Sequence, residues 1–242
     1  MKTISEEKLE RGSRLIVYDG SITDIEPETW PGLFDPGFLR DQDVVTATAE
    51  GRGPVYFFSW GSSRLVLRHY RRGGLLGKVI SDRYLGSSLE NSRPYREWKL
   101  LGKCLELGLP APRPAAIRLS RGMGFYQGDL LTHEIEEASP LSGLLKAAPL
   151  GEKRWRGVGE MIRKFHDHGI LHSDLNAANI LLRGDEVFLI DFDKAQTREA
   201  GKWTDSNLER LKRSLNKWIR LENTFHFTQA DWQALNEGYR GD

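Results

Sequence analysis

Eight residues narrow the fold of this chain more than any other stretch: His172-Ser173-Asp174-Leu175-Asn176-Ala177-Ala178-Asn179. Twelve residues beyond Asn179, an apolar run ends in Ile190-Asp191-Phe192-Asp193. The pattern is H-x-D-x-x-x-x-N, a short hairpin (ILLR-GD-EVFLID), and an Asp-Phe pair closing a strand. A polar loop with capping Asp and Asn residues does not require that spacing, or a hairpin followed by Asp-Phe.

The surrounding chain divides by its hydrophobic periodicity. Val55 to Trp60 and Arg64 to Tyr70 are β-branched and aromatic runs around Gly61-Ser62-Ser63, which predicts a hairpin. From Pro94, apolar residues recur at steps of three and four (Trp98, Leu101, Leu105, Leu109), which predicts a helix stopped by Gly108 and Pro110/Pro112/Pro114. Two more strands are expected over Ala115–Leu119 and Phe125–Ile135. Beyond them the pattern turns helical. Glu152–His168 carries a stripe of Trp155, Val158, Ile162 and Phe165, with Gly169 placed to end it. Helix is expected to resume at Thr204/Asp205 as N-caps, with Leu208, Leu211, Leu215 and Ile219 on one face. A β-rich half and a helical half imply two lobes with a cleft between them, a common place for a ligand.

The motif resembles the catalytic loop and the metal-binding D-F-G of the protein-kinase-like superfamily. The fold this implies is α+β and two-lobed. Residues 1–133 would form a small β-rich N-lobe, with an N-terminal extension to about residue 45, and residues 134–242 a compact helical C-lobe. Phosphoryl transfer needs a carboxylate to orient the attacking hydroxyl and accept its proton, and oxygen ligands that hold Mg²⁺ against a triphosphate. In that scheme Asp174 is the base, Asn179 and Asp191 are the metal ligands, and His172 supports the loop, as its counterpart does in the superfamily. ATP and Mg²⁺ are the implied cofactors. Ser173 stands where regulated protein kinases carry an Arg that pairs with a phosphorylated activation loop. No A-P-E tripeptide follows Asp193 in residues 194–242. A compact, constitutively competent kinase of a small molecule or glycan is therefore expected.

The same fold needs phosphate-contacting parts upstream. Gly51-Arg52-Gly53 precedes the first strong hairpin, where a glycine-rich loop would cover the phosphates, although Tyr56 replaces its third glycine. Leu65-Val66-Leu67-Arg68 matches the strand that carries the phosphate-contacting lysine, with Arg68 in the lysine's place. Arg keeps the charge and can fork to phosphate, but it is not an equivalent substitution. Glu97, on the following helix, is placed to pair with Arg68. Glu134 and Ile135 lie at the lobe junction, where backbone groups would meet adenine.

Within the superfamily, Leu67-Arg68-His69-Tyr70-Arg71-Arg72-Gly73-Gly74-Leu75-Leu76-Gly77 is similar to the lipopolysaccharide core kinases, specifically the 3-deoxy-D-manno-octulosonic acid (Kdo) kinase family. Further matches are Leu33-Phe34-Asp35-Pro36, Arg96-Glu97-Trp98, Gly108-Leu109-Pro110-Ala111-Pro112 and Asn207-Leu208-Glu209-Arg210-Leu211-Lys212-Arg213-Ser214-Leu215. Together these cover about residues 30–220. The resemblance implies ATP-dependent phosphorylation of the Kdo 4-hydroxyl on a lipid A precursor in Gram-negative bacteria. It also makes Arg68 the family's phosphate-contacting cation.

The charge map agrees with an anionic acceptor. Net charge is +1 in 242 residues, yet residues 1–50 hold 11 acidic against 5 basic side chains, and residues 64–103 hold 10 basic against 3 acidic. Kdo carries a carboxylate, lipid A precursors carry phosphates, and the bilayer surface around them is anionic. Arg71, Arg72, Lys78 and Arg83, interleaved with apolar residues, would meet the substrate or the membrane surface. A peripheral position on the cytoplasmic face of the inner membrane is therefore expected, without an obligate protein partner. The sequence has no membrane-length apolar run, no secretory h-region and a single cysteine, Cys104. These features disfavour a membrane span, export and a disulfide framework. The pI of about 7.9 and the lack of a binding motif speak against nucleic acid.

Other readings share the catalytic loop: a kinase-fold phosphotransferase of a soluble metabolite, antibiotic or other core sugar, a small atypical protein kinase, and a nucleotide-binding scaffold without catalysis. The cationic block argues against the first, the missing docking segment against the second, and the presence of Asp174, Asn179 and Asp191 together against the third.

Overall fold

A computed structural model describes residues 3–50, 53–70, 84–85, 88–122, 124–199 and 201–241. The chain divides into two compact units, residues 1–106 with 112–134, and residues 107–111 with 135–242. The first is built on a sheet and the second on helices.

The first unit opens with β1 (Glu6–Arg11) and β2 (Arg14–Asp19), then the short helices α1 (Trp30–Leu33) and α2 (Pro36–Asp41). Strands β3 (Val45–Glu50), β4 (Pro54–Trp60), β5 (Ser63–His69) and β6 (Tyr84–Leu85) follow, then helix α3 (Arg93–Glu106) and strands β7 (Pro114–Gly122) and β8 (Phe125–His133). One sheet holds all eight strands in the order β1-β2-β7-β8-β5-β4-β3, with β6 paired to β8. The hairpin expected around Gly61 is β4–β5, closing at Trp60 opposite Ser63. The N-terminal segment expected as an extension is instead partly sheet, because β2 pairs with β7 over five residues.

Strand alternation decides what each face of β5 meets. Leu65 and Leu67 enter a core with Trp30, Leu33, Phe34, Leu39 and Phe58, so α1 and α2 close that face. Arg68 lies on the other face and meets Glu97 of α3. Helix α3 buries Trp98, Leu101 and Cys104, each at most 1% exposed, and each such burial contributes about 1.5–3 kcal/mol for the large apolar side chains. Burial pushes the Cys104 thiol up to about 12, so it stays protonated and serves as a small apolar group.

The second unit contains β9 (Ser139–Pro140), α4 (Leu141–Ala147), α5 (Glu152–Asp167), β10 (Ile170–Leu171), β11 (Ile180–Arg183), β12 (Glu186–Leu189), β13 (Gln196–Thr197), α6 (Trp203–Leu221) and α7 (Gln229–Arg240). Helix α5 buries the expected stripe of Trp155, Val158, Ile162 and Phe165, and Gly169 leaves it in the left-handed region at φ 69°. Helices α5 and α7 touch backbone to backbone. A Cβ at Gly159 would strike the Leu235 carbonyl and one at Gly238 the Arg156 carbonyl, so both positions require glycine.

One expectation for α6 fails. The helix starts at Trp203, with Lys202 at the N-cap and no side-chain cap, while the Thr204 hydroxyl donates instead to the Gly201 carbonyl at 3.2 Å. Leu208, Leu211 and Leu215 are buried, but Ile219 is 44% exposed because the last turn runs past the core its stripe serves. The side-chain cap is found on α7, where Thr228 and Asp231 form a capping box.

Candidate active site

The segment from residue 172 to 179 runs between β10 and β11 and is pinned by two buried apolar anchors, Leu175 (1% exposed) and Ala177 (0%). The Ala177 carbonyl accepts from the Ser142 amide of α4 at 3.0 Å. Two asparagines brace Asp174 from below. The side-chain amides of Asn176 and Asn179 donate to the Asp174 backbone carbonyl at 2.8 and 2.9 Å. The Asn176 side-chain oxygen in turn accepts from the Ala178 amide at 2.8 Å. With its NH₂ group committed, Asn179 presents an amide oxygen as its remaining ligand atom.

The twelve-residue spacing to Asp191 now has a geometric reason. Strands β11 and β12 pair with Ile180 opposite Leu189, and the Ile190 amide donates to the Asn179 carbonyl at 2.9 Å. The hairpin thus returns the chain to its own start and delivers Asp191 one residue beyond Asn179's partner. The Ile190 carbonyl accepts from His172 Nε2–H at 2.9 Å. Both backbone groups of the residue before Asp191 are therefore held by the loop that carries Asp174. Asp191 sits at φ 65°, a left-handed conformation that Asp tolerates better than most residues. Phe192, 1% exposed, fixes the turn by packing against Phe165 and edge-on to His172, with centroids 5.7 and 5.1 Å away. An amide oxygen and a carboxylate are the hard donors that Mg²⁺ takes. The donor set fits the ion.

A second bracket ties α6 to the loop. Asn207, 4% exposed, donates through Nδ2 to the His172 carbonyl at 2.9 Å and accepts at Oδ1 from His166 Nε2–H at 3.1 Å. His166 Nδ1 must then accept from the Tyr239 hydroxyl, 2.8 Å away. One turn along α6 from Asn207, the Arg210 guanidinium forms an ion pair with the Asp174 carboxylate. Neither Asn207 nor Arg210 was expected at the site from the sequence, where both stood only within the Asn207–Leu215 family match.

Burial pushes His166 and His172 below the 6.5 of an ordinary histidine, against hydrogen bonds to Asn207 and to the Ile190 carbonyl respectively that raise them. Both are neutral in the fold at neutral pH. An unfolded chain binds a proton at each below pH 6.5, so their contribution is complete above that pH and is lost as pH falls through it. Thermal unfolding midpoints are expected to drop between pH 7.5 and 5.5, and His166→Gln to flatten that profile. An unchanged slope in the variant would contradict the assignment.

In the sheet unit, Arg68 and the Tyr70 hydroxyl both contact the Glu97 carboxylate, which is 3% exposed. His69 Nδ1 lies 2.7 Å from the buried Asp129 carboxylate, which Arg118 Nε holds from the other side at 2.8 Å. Arg68-His69-Tyr70 therefore locks β5 to α3 and β8. Gly53 is half-buried in the connection between β3 and β4, while Gly51 and Arg52 lie outside the described residues. Glu134 pairs with Arg64 at 3.0 Å and its backbone amide donates to the Arg64 carbonyl at 2.9 Å, so that N–H already has a partner within its unit. Ile135, half-buried, is the next residue and the first of the helical unit's main segment. Arg71, Arg72, Lys78 and Arg83 lie outside the described residues.

A sequence model of the lipopolysaccharide kinase (Kdo/WaaP) family matches residues 37–239. A Haemophilus influenzae protein named 3-deoxy-D-manno-octulosonic acid kinase is 43% identical over 216 residues, covering 86% of this chain and 89% of its own. One of the same name from Photobacterium profundum is 39% identical over 234 residues, covering 96% and 98%. Among solved structures, one titled "WaaP in complex with acyl carrier protein" superposes with a TM-score of 0.57 at 17% identity, over 90% of this chain and 87% of that one. That likeness is one of fold.

Proposed function

Because the chain belongs to the lipopolysaccharide kinase (Kdo/WaaP) family, we propose that it transfers the γ-phosphoryl group of ATP to the 4-hydroxyl of Kdo on a lipid A precursor. The observation that carries this reading is the single bracket that holds Asp174, Asn179 and Asp191 together through Ile190 and His172. Its setting is a chain 43% identical to a protein named for that sugar.

In the reaction, Asp174 accepts a hydrogen bond from the attacking hydroxyl and takes its proton as the new P–O bond forms. Asn179 and Asp191 would hold Mg²⁺, which would supply countercharge to the triphosphate. His172, neutral and committed to the Ile190 carbonyl, keeps the two segments in register rather than moving a proton. Arg68, steadied by Glu97, is assigned to the phosphates, as are Gly51, Arg52 and Gly53, while the backbone groups of Glu134 and Ile135 are assigned to adenine.

The acceptor is an amphiphile, so the enzyme works at the cytoplasmic face of the inner membrane as a peripheral protein. No helix among the described residues is long and apolar enough to cross a membrane. Arg71, Arg72, Lys78 and Arg83 supply attraction to anionic lipid of about 1 kcal/mol each. Mapping the product tests the regiochemistry: mild acid release and NMR of the sugar are expected to place the phosphate on oxygen 4 of Kdo. A phosphate on heptose, or on another Kdo oxygen, would overturn it.

A further inference from the structure

We propose that Arg210 is the residue that recognises the carboxylate of the acceptor sugar, exchanging its contact with Asp174 for the substrate when the substrate binds. This rests on the Kdo reading above and adds to it the group that selects an acidic sugar.

The position of Arg210 relative to the base is fixed rather than fortuitous. Asn207 anchors α6 to the His172 carbonyl at 2.9 Å, two residues before Asp174, and is itself held by His166. Arg210 follows one helical turn later on the same face, which brings its guanidinium onto the Asp174 carboxylate. The pair is partly open to solvent, with side-chain exposures of 45% for Arg210 and 29% for Asp174. An exposed ion pair of this kind contributes little to stability and costs little to exchange. Helix α6 needs no such pair for its own packing, since Leu208, Leu211 and Leu215 bury its apolar stripe.

The Arg210 guanidinium occupies the carboxylate that the acceptor hydroxyl has to reach. It is a burden on catalysis unless the substrate draws the cation away. An acidic sugar does this. In Kdo the carboxylate stands on the ring carbon two positions from the 4-hydroxyl, so a hydroxyl hydrogen-bonded to Asp174 brings the carboxylate within a side chain's reach. The planar guanidinium matches a carboxylate through two parallel N–H···O bonds, which an ammonium cannot form. Binding of the acid thus moves Arg210 onto the sugar and leaves Asp174 facing the hydroxyl. A neutral sugar would leave the base paired.

The test is a two-by-two comparison of wild type and Arg210→Gln on a Kdo-bearing lipid A precursor and on its Kdo methyl ester. Loss of a charge-assisted bond predicts a fall of about 10- to 100-fold in kcat/KM for wild type on the ester and for the variant on the acid. The fall is expected in the KM of the acceptor with the KM of ATP unchanged, and the variant on the ester is expected to lose nothing more. Arg210→Lys, which keeps charge without the fork, is expected to fall between. Losses that multiply, or an ester that serves wild type as well as the acid, would overturn the assignment. A wild-type loss seen only on an acceptor stripped of its lipid A phosphates would do so too, by giving the cation to a phosphate. If wild type fails on the Kdo acceptor altogether, the sugar reading itself falls.

Discussion

Asp174→Asn is expected to lower kcat by about 10²- to 10⁴-fold, the usual cost of removing a general base, with the KM of ATP and the thermal midpoint close to wild type. The fold survives because the parts of Asp174 that hold the loop are backbone. Its carbonyl, not its carboxylate, receives the Asn176 and Asn179 amides. The loop's other anchors, Leu175, Ala177 and the His172–Ile190 bond, are untouched. Only the carboxylate is lost, and with it the acceptor for the hydroxyl proton. A residual rate within tenfold of wild type would mean that Asp174 is not the base.

The second large effect concerns Arg68. Its partner Glu97 is 3% exposed, and Arg68 provides the countercharge within a contact that also takes the Tyr70 hydroxyl. Truncating one member of such a pair removes countercharge from a buried carboxylate, so Arg68→Met is expected to destabilise the sheet unit by about 3 kcal/mol. Arg68→Met/Glu97→Gln removes the buried charge and is expected to regain much of that loss while staying inactive, because the cation for the phosphates is gone. Urea unfolding of the two single variants and the double variant checks this. If the double variant is less stable than Arg68→Met alone, the pair is not what holds α3 to β5. Activity equal to wild type in Arg68→Met would remove Arg68 from the phosphate site.

What could be read from the sequence was local. The loop from His172 to Asn179 and the Asp191 turn were legible because their spacing spans one hairpin, whose register a short apolar–turn–apolar pattern sets. The Arg68 strand and the Glu97 helix were legible from their own patterns and their pairing only from the kinase resemblance, and nothing in the sequence showed Tyr70 closing on the same carboxylate. Asn207 and Arg210 were not legible as site residues. Their roles depend on where α6 packs against a loop more than thirty residues earlier, and a helical wheel gives a face but not a neighbour. The start of α6 was misplaced because Thr204 spends its hydroxyl on the Gly201 carbonyl. Strand β1 was missed because it is almost wholly exposed and charged, Glu6-Glu7-Lys8-Leu9-Glu10-Arg11, and takes its conformation from pairing with β2. Arg68-His69-Tyr70, part of the family likeness, is a set of contacts made by the end of β5 and the residue after it.

The most direct test of the central claim is transfer of labelled γ-phosphate from Mg-ATP to a Kdo-bearing lipid A precursor, run beside the same precursor without Kdo and a panel of soluble sugars and aminoglycosides. Label on the Kdo-bearing lipid alone is the result the account predicts. Label on a soluble acceptor, with the Kdo-bearing lipid unmodified, would keep the kinase fold and contradict the substrate.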